Sequence, residues 1–207
     1  MENSEIVHHG AVNGVTGSCH ELLIDADNSV LIDCGLFQGA ETSGKGSREN
    51  TLEIEFPIQN IRALLVTHCH IDHVGRIPYL LATGYDGPIY CSEPSAVLLP
   101  LVLKDAVKIG FTRDKHLINK FLKLLISRII AVPYAQWQEI ALKKGSEKKL
   151  KVRFNPAGHI LGSAYIECAL KDANNQISYT FSGDLGGPHT PLLPNPKPPY
   201  KTDVLVL

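Results

Sequence analysis

The chain contains 207 residues, of which 44% are hydrophobic and 20% charged, and its net charge is −1. This length suits one domain, or most of one, with a sizeable core. The near-neutral balance excludes a global attraction to nucleic acid, so such a contact needs a local patch or a partner. Five cysteines without a C-x-x-C pair indicate reduced thiols in a cytoplasmic protein, and no apolar run is long enough to span a membrane.

The first third of the chain is predicted to form short strands joined by turns. Branched apolar residues bounded by polar ones indicate strands at 6–7, 21–25, 29–33 and 61–67. Asp27-Asn28 favours a tight turn between the second and third of these. A loop that contains Gly39, Gly44 and Gly46 is expected before the fourth.

Three helices are expected next, over 74–83, from Ser92 or Ser95 to about Lys108, and after a cap at Asp114. Basic residues of the third helix lie mostly off its apolar stripe, which favours a solvated face over an RNA contact; they are Lys115, Lys120, Lys123 and Arg128.

A short strand is predicted at 88–91, between the first two helices, and four more strands are predicted in the second half, at 148–154, 164–170, 177–181 and 203–207. Segment 148–154 alternates basic with apolar residues, which indicates a half-buried strand with a cationic outer face. A structural role for that face is favoured over contact with phosphates. The proline-rich stretch 188–199 is expected to be extended. Because 203–207 resembles a buried strand without a polar exit, we expect residues 1–207 to be the N-terminal part of a domain, cut within a strand.

Metal-ligand side chains follow strand 61–67 directly, at His68, His70, Asp72 and His73. Imidazole nitrogens and carboxylate oxygens are ligands of zinc in catalytic sites. This spacing offers alternating ligands to one metal, and then two adjacent ligands that can turn toward a second. A merely histidine-rich loop is the alternative, but four such residues within six argue against chance in a chain with nine histidines.

Two later loops each offer one more ligand. His159 lies between Gly158 and Gly162, and Asp184 follows strand 177–181 in a Gly-Asp-x-Gly turn. Alone, such a histidine is usually an ordinary core or surface residue, and such a turn is only a turn. Beside the His68 cluster, His159 becomes a third nitrogen for one zinc, and Asp184 becomes a carboxylate able to bridge two metals.

The ordered series His68-x-His70-x-Asp72-His73, His159, Asp184 resembles the ligand series of the metallo-β-lactamase fold. Segments 15–20, 33–39, 157–164 and 181–186 look like its β-CASP branch, which holds RNA-processing nucleases. The resemblance implies an α/β fold, an αββα sandwich. That sandwich is expected to be incomplete, without the inserted β-CASP domain and the C-terminal return of full members.

The resemblance also implies a role for each ligand. The first zinc would be held by His68, His70 and His159, the second by Asp72 and His73, and Asp184 would bridge them. Asp72, His73 and Asp184 are the implied catalytic residues. The second site is expected to lack at least one ligand.

Asp33 lies at a predicted strand end. It is expected either to orient a ligand histidine through the second ring nitrogen or, with equal weight, to cap its own loop.

The expected function is that of a zinc-dependent phosphodiesterase acting on RNA in processing or decay, with endo- or exonuclease action left open. The chain alone is expected to be weak or inactive, and a homo-oligomer could cover its exposed apolar surface. Two alternatives remain: a hydrolase of a small ester or thioester, and a non-catalytic partner subunit.

Overall fold

The computed structural model describes residues 4–12, 14–37 and 53–207. This part of the chain forms eleven strands and four helices. The strands are β1 Glu5–His8, β2 His20–Asp25, β3 Asn28–Ile32, β4 Ile61–Leu65, β5 Ile89–Ser92, β6 Ile129–Val132, β7 Trp137–Ile140, β8 Lys149–Pro156, β9 Ala164–Lys171, β10 Gln176–Phe181 and β11 Val204–Val206. The helices are α1 Ile71–Val74, α2 Ile77–Ala82, α3 Glu93–Gly110 and α4 Lys115–Arg128.

The strands form two sheets. The first, sheet A, has the order β1-β2-β3-β4-β5-β6, and the second, sheet B, has the order β11-β10-β9-β8-β7. Strands β3 to β6 run parallel. Helices α1 and α2 connect β4 to β5, and helices α3 and α4 connect β5 to β6. Strands β7 to β10 form an antiparallel meander. Helical crossovers are the usual way to connect parallel neighbours, so the helices belong to sheet A.

Two apolar clusters hold the layers together. One lies between the sheets, where Leu22 and Val30 of sheet A meet Phe154 and Phe181 of sheet B. The other lies between sheet A and the helices, and Leu64 and Leu99 are among its buried members. The described residues thus form helix, sheet and sheet layers, which confirms the α/β class predicted from the sequence.

The helix expected over 74–83 is two short helices instead. The helix is interrupted at Gly75 and Arg76. There, the backbone N–H of Arg76 donates to the carbonyl of Cys34, and its side-chain Nε donates to the carbonyl of Gly35. Tertiary bonds to the end of β3 therefore interrupt the local helical pattern. The helix starts at Ser92 and Asp114 agree with prediction, since both side chains accept N-cap hydrogen bonds.

Three other predictions differ from the structure or fall outside it. Strands β6 and β7 were not foreseen, because Ile129 continued the apolar stripe of the preceding helix. The last strand was expected to be buried, yet Leu205 is 53% exposed at the edge of sheet B. The glycine loop with Gly39, Gly44 and Gly46 lies outside the described residues. No helix among the described residues has the length and apolarity to cross a bilayer.

Candidate metal centre

The predicted ligands converge at one edge of the sandwich. His68 and His70 follow β4, His159 follows β8, and Asp184 follows β10. Since β8 and β10 are both antiparallel to β9, they run in the same direction and their carboxyl ends share one edge of sheet B. The backbone N–H of Ala164 donates to the carbonyl of Thr67 at 2.8 Å, which joins that edge to the end of β4.

Four of the predicted ligands form one compact group: His68, His70, His159 and Asp184 each offer one ligand atom, and these atoms all lie within 4.8 Å of one another. Nδ1 of His70 lies 3.1 Å from Nε2 of His68 and 3.1 Å from Nε2 of His159. Oδ2 of Asp184 lies 3.7 Å from Nε2 of His68 and 3.3 Å from Nε2 of His159.

These separations suit a single small cation. Ligand atoms about 2.0–2.1 Å from a tetrahedral zinc ion are about 3.3–3.4 Å from one another. Three imidazole nitrogens and one carboxylate oxygen also form a donor set that zinc accepts, although other transition metals accept imidazole as well. The residues therefore fit a metal ion, and the cluster supports a metal cofactor.

Asp72 and His73 lie beside this group but are not part of it. Nε2 of His73 lies 3.2 Å from Oδ1 of Asp184 and 4.0 Å from Oδ2 of Asp72. Although it is buried, this nitrogen has no hydrogen-bond partner among the described residues. Asp184 thus directs one oxygen toward the first group and the other toward His73. The assignment of individual residues to two metals stays a prediction.

Asp33 holds His73 from the opposite side. Its Oδ2 accepts a hydrogen bond from Nδ1 of His73 at 2.7 Å and one from Oγ1 of Thr67 at 2.8 Å, while Oδ1 accepts from the backbone N–H of Thr67 at 2.8 Å. Asp33 is 1% exposed and has a φ of 58°, in the left-handed region. The geometry is that of a carboxylate which orients a histidine ring.

The imidazoles of His68 and His73 differ in electrostatic environment. Burial, followed by the neighbouring His73, His70 and His159, lowers the pKa of His68 to about 2. Burial would also lower the pKa of His73, but the charges of Asp33, Asp184 and Asp72 raise it to about 9. His68 is therefore neutral at pH 7, as metal ligation requires, whereas a cation at Nε2 of His73 has to displace a proton.

The loop that carries His159 is fixed by hydroxyl groups. Oγ of Ser163 accepts from the backbone N–H of His159 at 3.0 Å. Two further hydroxyls, of Ser92 at 2.6 Å and Ser95 at 2.9 Å, donate to the carbonyl of Gly162. Because Gly162 has a φ of +87° and lies against Ser95, a side chain there would be strained. The loop is therefore anchored to the start of α3.

The segment that carries Asp72 and His73 is packed against the end of β3. Backbone N–H groups of Ser18 and Cys34 donate to the carbonyls of Asp72 at 2.9 Å and His73 at 2.8 Å. A Cβ on Gly35 would lie 1.6 Å from the carbonyl oxygen of Asp72. Glycine at this position is what permits the close approach.

Sequence reasoning missed two contributors to this region. Thr67, which directly precedes His68, satisfies both oxygens of Asp33; its position at the strand end was the available signal. His20 lines a cleft of about 170 Å³ that also reaches Asp33, His73 and Asp184. His20 lies within segment 15–20, which carries part of the resemblance, but the sequence assigned it no role because it is far along the chain from the His68 cluster.

The amino-acid sequence of the chain matches a known protein family and several known proteins. The family model described as Metallo-beta-lactamase superfamily matches residues 15–204. Ribonuclease TTHA0252 of Thermus thermophilus is 34% identical over 202 residues, which cover 97% of this chain and 42% of that protein. Transcription termination factor FttA of Methanococcus maripaludis is 35% identical over 161 residues, covering 77% of this chain and 24% of that protein.

A plant relative adds a third comparison. Cleavage and polyadenylation specificity factor subunit 3-II of Arabidopsis thaliana is 27% identical over 180 residues, covering 84% of this chain and 28% of that protein. The chain thus spans less than half the length of these curated relatives. The relatives confirm the resemblance to the β-CASP branch of RNA-processing nucleases, and the match over residues 15–204 shows that the chain belongs to the metallo-beta-lactamase superfamily.

Proposed function

We propose that this chain carries the metal centre of a zinc-dependent ribonuclease that hydrolyses phosphodiester bonds of RNA. One observation carries the proposal: the ligand atoms of His68, His70, His159 and Asp184 lie within 4.8 Å of one another. That group occurs in a chain whose relatives include one named as a ribonuclease.

Each side chain has a role in the proposal. His68, His70 and His159 would hold the first zinc, Asp72 and His73 would hold a second, and Asp184 would contribute to both. When bound, zinc lowers the pKa of a coordinated water and polarises the phosphate that water attacks. Asp33 keeps Nε2 of His73 directed at Asp184 by accepting a hydrogen bond from Nδ1 at 2.7 Å. Ser163 holds the backbone of His159 by accepting a hydrogen bond from its N–H at 3.0 Å.

The second metal is the weaker one in this proposal. Asp72 Oδ2 lies 4.0 Å from Nε2 of His73, and these residues are outside the compact ligand group. Among the described residues, His20 also lines the cleft beside His73, but it is outside the compact ligand group. We therefore propose that the 207-residue chain alone cleaves RNA weakly or not at all.

Two features of the setting belong to the same proposal. All five cysteines are free and buried, which supports a reducing, cytoplasmic environment.

Apolar residues at the β11 edge, among them Leu205 at 53% and Leu207 at 88% exposure, support a contact with another chain, such as a homo-oligomer.

Metal content tests the centre directly. Zinc should bind the wild-type chain and should be measured by elemental analysis of protein purified without chelator or affinity tag. His159→Ala should weaken binding by more than the roughly 10–100-fold cost of losing an outer partner of a ligand. His116→Ala, at an exposed residue of α4, should bind like the wild type. Equal zinc binding by His159→Ala and wild type would overturn the proposed centre.

Substrate class needs a separate assay. Any cleavage of labelled RNA should be abolished by chelator and restored by zinc, and Asp184→Asn should remove it. Hydrolysis of a nitrophenyl ester should be slower than that of RNA. Faster ester hydrolysis would favour a small-molecule hydrolase and contradict the RNA assignment.

A further inference from the structure

The outer face of sheet B carries a cluster of basic side chains away from the metal centre. Leu150, Val152 and Phe154 of β8 point into the core between the sheets. Alternate residues of a strand point to opposite faces, so the residues between them point outward. We call this surface the basic face and define it by Trp137 of β7, Lys149, Lys151 and Arg153 of β8, and Lys171 of β9.

The charges on the basic face are poorly compensated. Lys149 lies directly opposite Lys171 in the β8–β9 register, and like charges in that relation are destabilising. Lys149, Lys151 and Lys171 are exposed, and none makes an ion pair with another described residue. Glu139 lies opposite Lys151 and offsets part of this charge. An anionic partner bound to this face would relieve the remaining repulsion between the lysines.

An aromatic side chain is fixed within the same face. The guanidinium of Arg153 lies 4.5 Å from the centroid of the Trp137 ring. It is held there by Glu167, whose Oε2 accepts from Nε at 2.7 Å and also accepts from Nδ2 of Asn155 at 2.5 Å. Trp137 is nevertheless 46% exposed. Its ring is therefore held in place on one side and open to a stacking partner on the other.

The proline-rich segment covers only the neighbouring part of sheet B. The hydroxyl of Tyr165 donates to the carbonyl of Lys197 at 2.7 Å, and Oγ1 of Thr180 lies 2.7 Å from Oγ1 of Thr202. These contacts cover β9 and β10 near the metal centre. Among the described residues, no segment covers the lysines of the basic face.

We propose that the basic face binds single-stranded RNA at a site separate from the metal centre. Lys149 and Lys151, two residues apart on one strand, stand about 6.8 Å apart along it and can meet successive phosphates of an extended strand. Trp137 offers a stacking surface to a base, as aromatic residues do in single-strand binding proteins. The choice of RNA over other polyanions rests on the proposed function.

Trp137 is the only tryptophan of the chain, so its fluorescence reports directly on this face. The chelator-treated chain should be titrated with a uridine oligonucleotide, since binding then needs neither metal nor cleavage. RNA should quench the Trp137 emission. The triple variant Lys149→Gln, Lys151→Gln, Lys171→Gln should bind about 10–100-fold more weakly at about 0.1 M salt. A plot of log affinity against log salt concentration has a negative slope, and in this variant the slope should become shallower by about 2.

A charge-matched control separates this site from general attraction. Lys104→Gln, Lys108→Gln, Lys123→Gln removes three exposed lysines from α3 and α4 instead. That variant should keep the affinity and the quench. Equal losses in both triple variants, or RNA binding without a change in Trp137 emission, would overturn the proposal. So would displacement of RNA by poly-glutamate at equal charge concentration, which would point to an acidic protein partner. Failure of the metal centre in the zinc assays leaves these results unchanged.

Discussion

Nδ1 of His73 donates a 2.7 Å hydrogen bond to Oδ2 of Asp33, and the opposite nitrogen of the same ring lies 3.2 Å from Oδ1 of Asp184. The buried carboxylate of Asp33 therefore determines which ring nitrogen of His73 points toward the carboxylate of Asp184. The residues on either side of His73 come from the ends of β3 and β10, in different sheets.

Asp33→Asn should weaken metal binding at the His73 side by about 10–100-fold, because the ring loses the partner that orients it. It should also lower the free energy of unfolding by about 1–3 kcal/mol, since Thr67 and His73 lose a charged acceptor in a buried position. Calorimetric titration with zinc measures the first effect and urea unfolding the second. Asp105→Asn, at an exposed residue of α3, is the control. Unchanged zinc binding would show that Asp33 serves only its own loop.

Gly35→Ala should be strongly destabilising, by about 3 kcal/mol or more, because overpacking that meets backbone cannot relax by a rotamer change. Its Cβ would lie 1.6 Å from the carbonyl oxygen of Asp72. Gly110→Ala, at the end of α3, meets no atom within 4 Å and should be neutral or stabilising by about 0.4–1 kcal/mol. Thermal unfolding of both variants distinguishes the cases. Similar stability of the two variants would contradict the close packing at Gly35.

Acid should destabilise the chain through His20. Burial, opposed in part by the charge of Asp33, lowers the pKa of His20 from 6.5 to about 4. Below pH 6.5 the unfolded chain binds a proton that the folded chain binds only near pH 4, so the free energy of unfolding falls as pH decreases through this window.

His20→Asn should flatten that dependence between pH 6.5 and about 4, and urea unfolding at several pH values measures it. His116→Asn removes an exposed histidine and should leave the slope unchanged. An identical slope in His20→Asn and wild type would mean that His20 titrates alike in both states.

Chelation should lower the melting temperature, because an ion that binds only the folded chain stabilises it by mass action. At free zinc about 100 times the dissociation constant, the gain is about 2.7 kcal/mol. Differential scanning calorimetry with and without chelator measures the shift. In His159→Ala the shift should shrink sharply, whereas His116→Ala should keep it. A full shift in His159→Ala would place the stabilising ion elsewhere.

The residues of the candidate ligand group were predictable because of where they fall in the sequence. His68 and Asp184 each follow directly after an apolar strand, so pattern alone placed them at strand ends. His159 was weaker as a signal and became convincing only beside the others. Each of these predictions depends on local periodicity, which a single sequence displays.

The features that the sequence did not predict depend on tertiary contacts. The break between α1 and α2 arises from bonds of Arg76 to residues Cys34 and Gly35 on another element. Strand β7 is short and is defined by pairing with β8, not by its own composition. The hydrogen bond from the backbone N–H of Thr67 to Asp33 likewise joins residues that are 34 positions apart.

The ligand group takes His68 and His70 from the end of a strand in sheet A, and His159 and Asp184 from the ends of strands in sheet B. A cation held by all four therefore works as a cross-link between the two halves of the sandwich. With such a cation bound, any shift of one sheet against the other would move the ligands apart, so a substitution deep between the sheets would change metal affinity without touching a ligand.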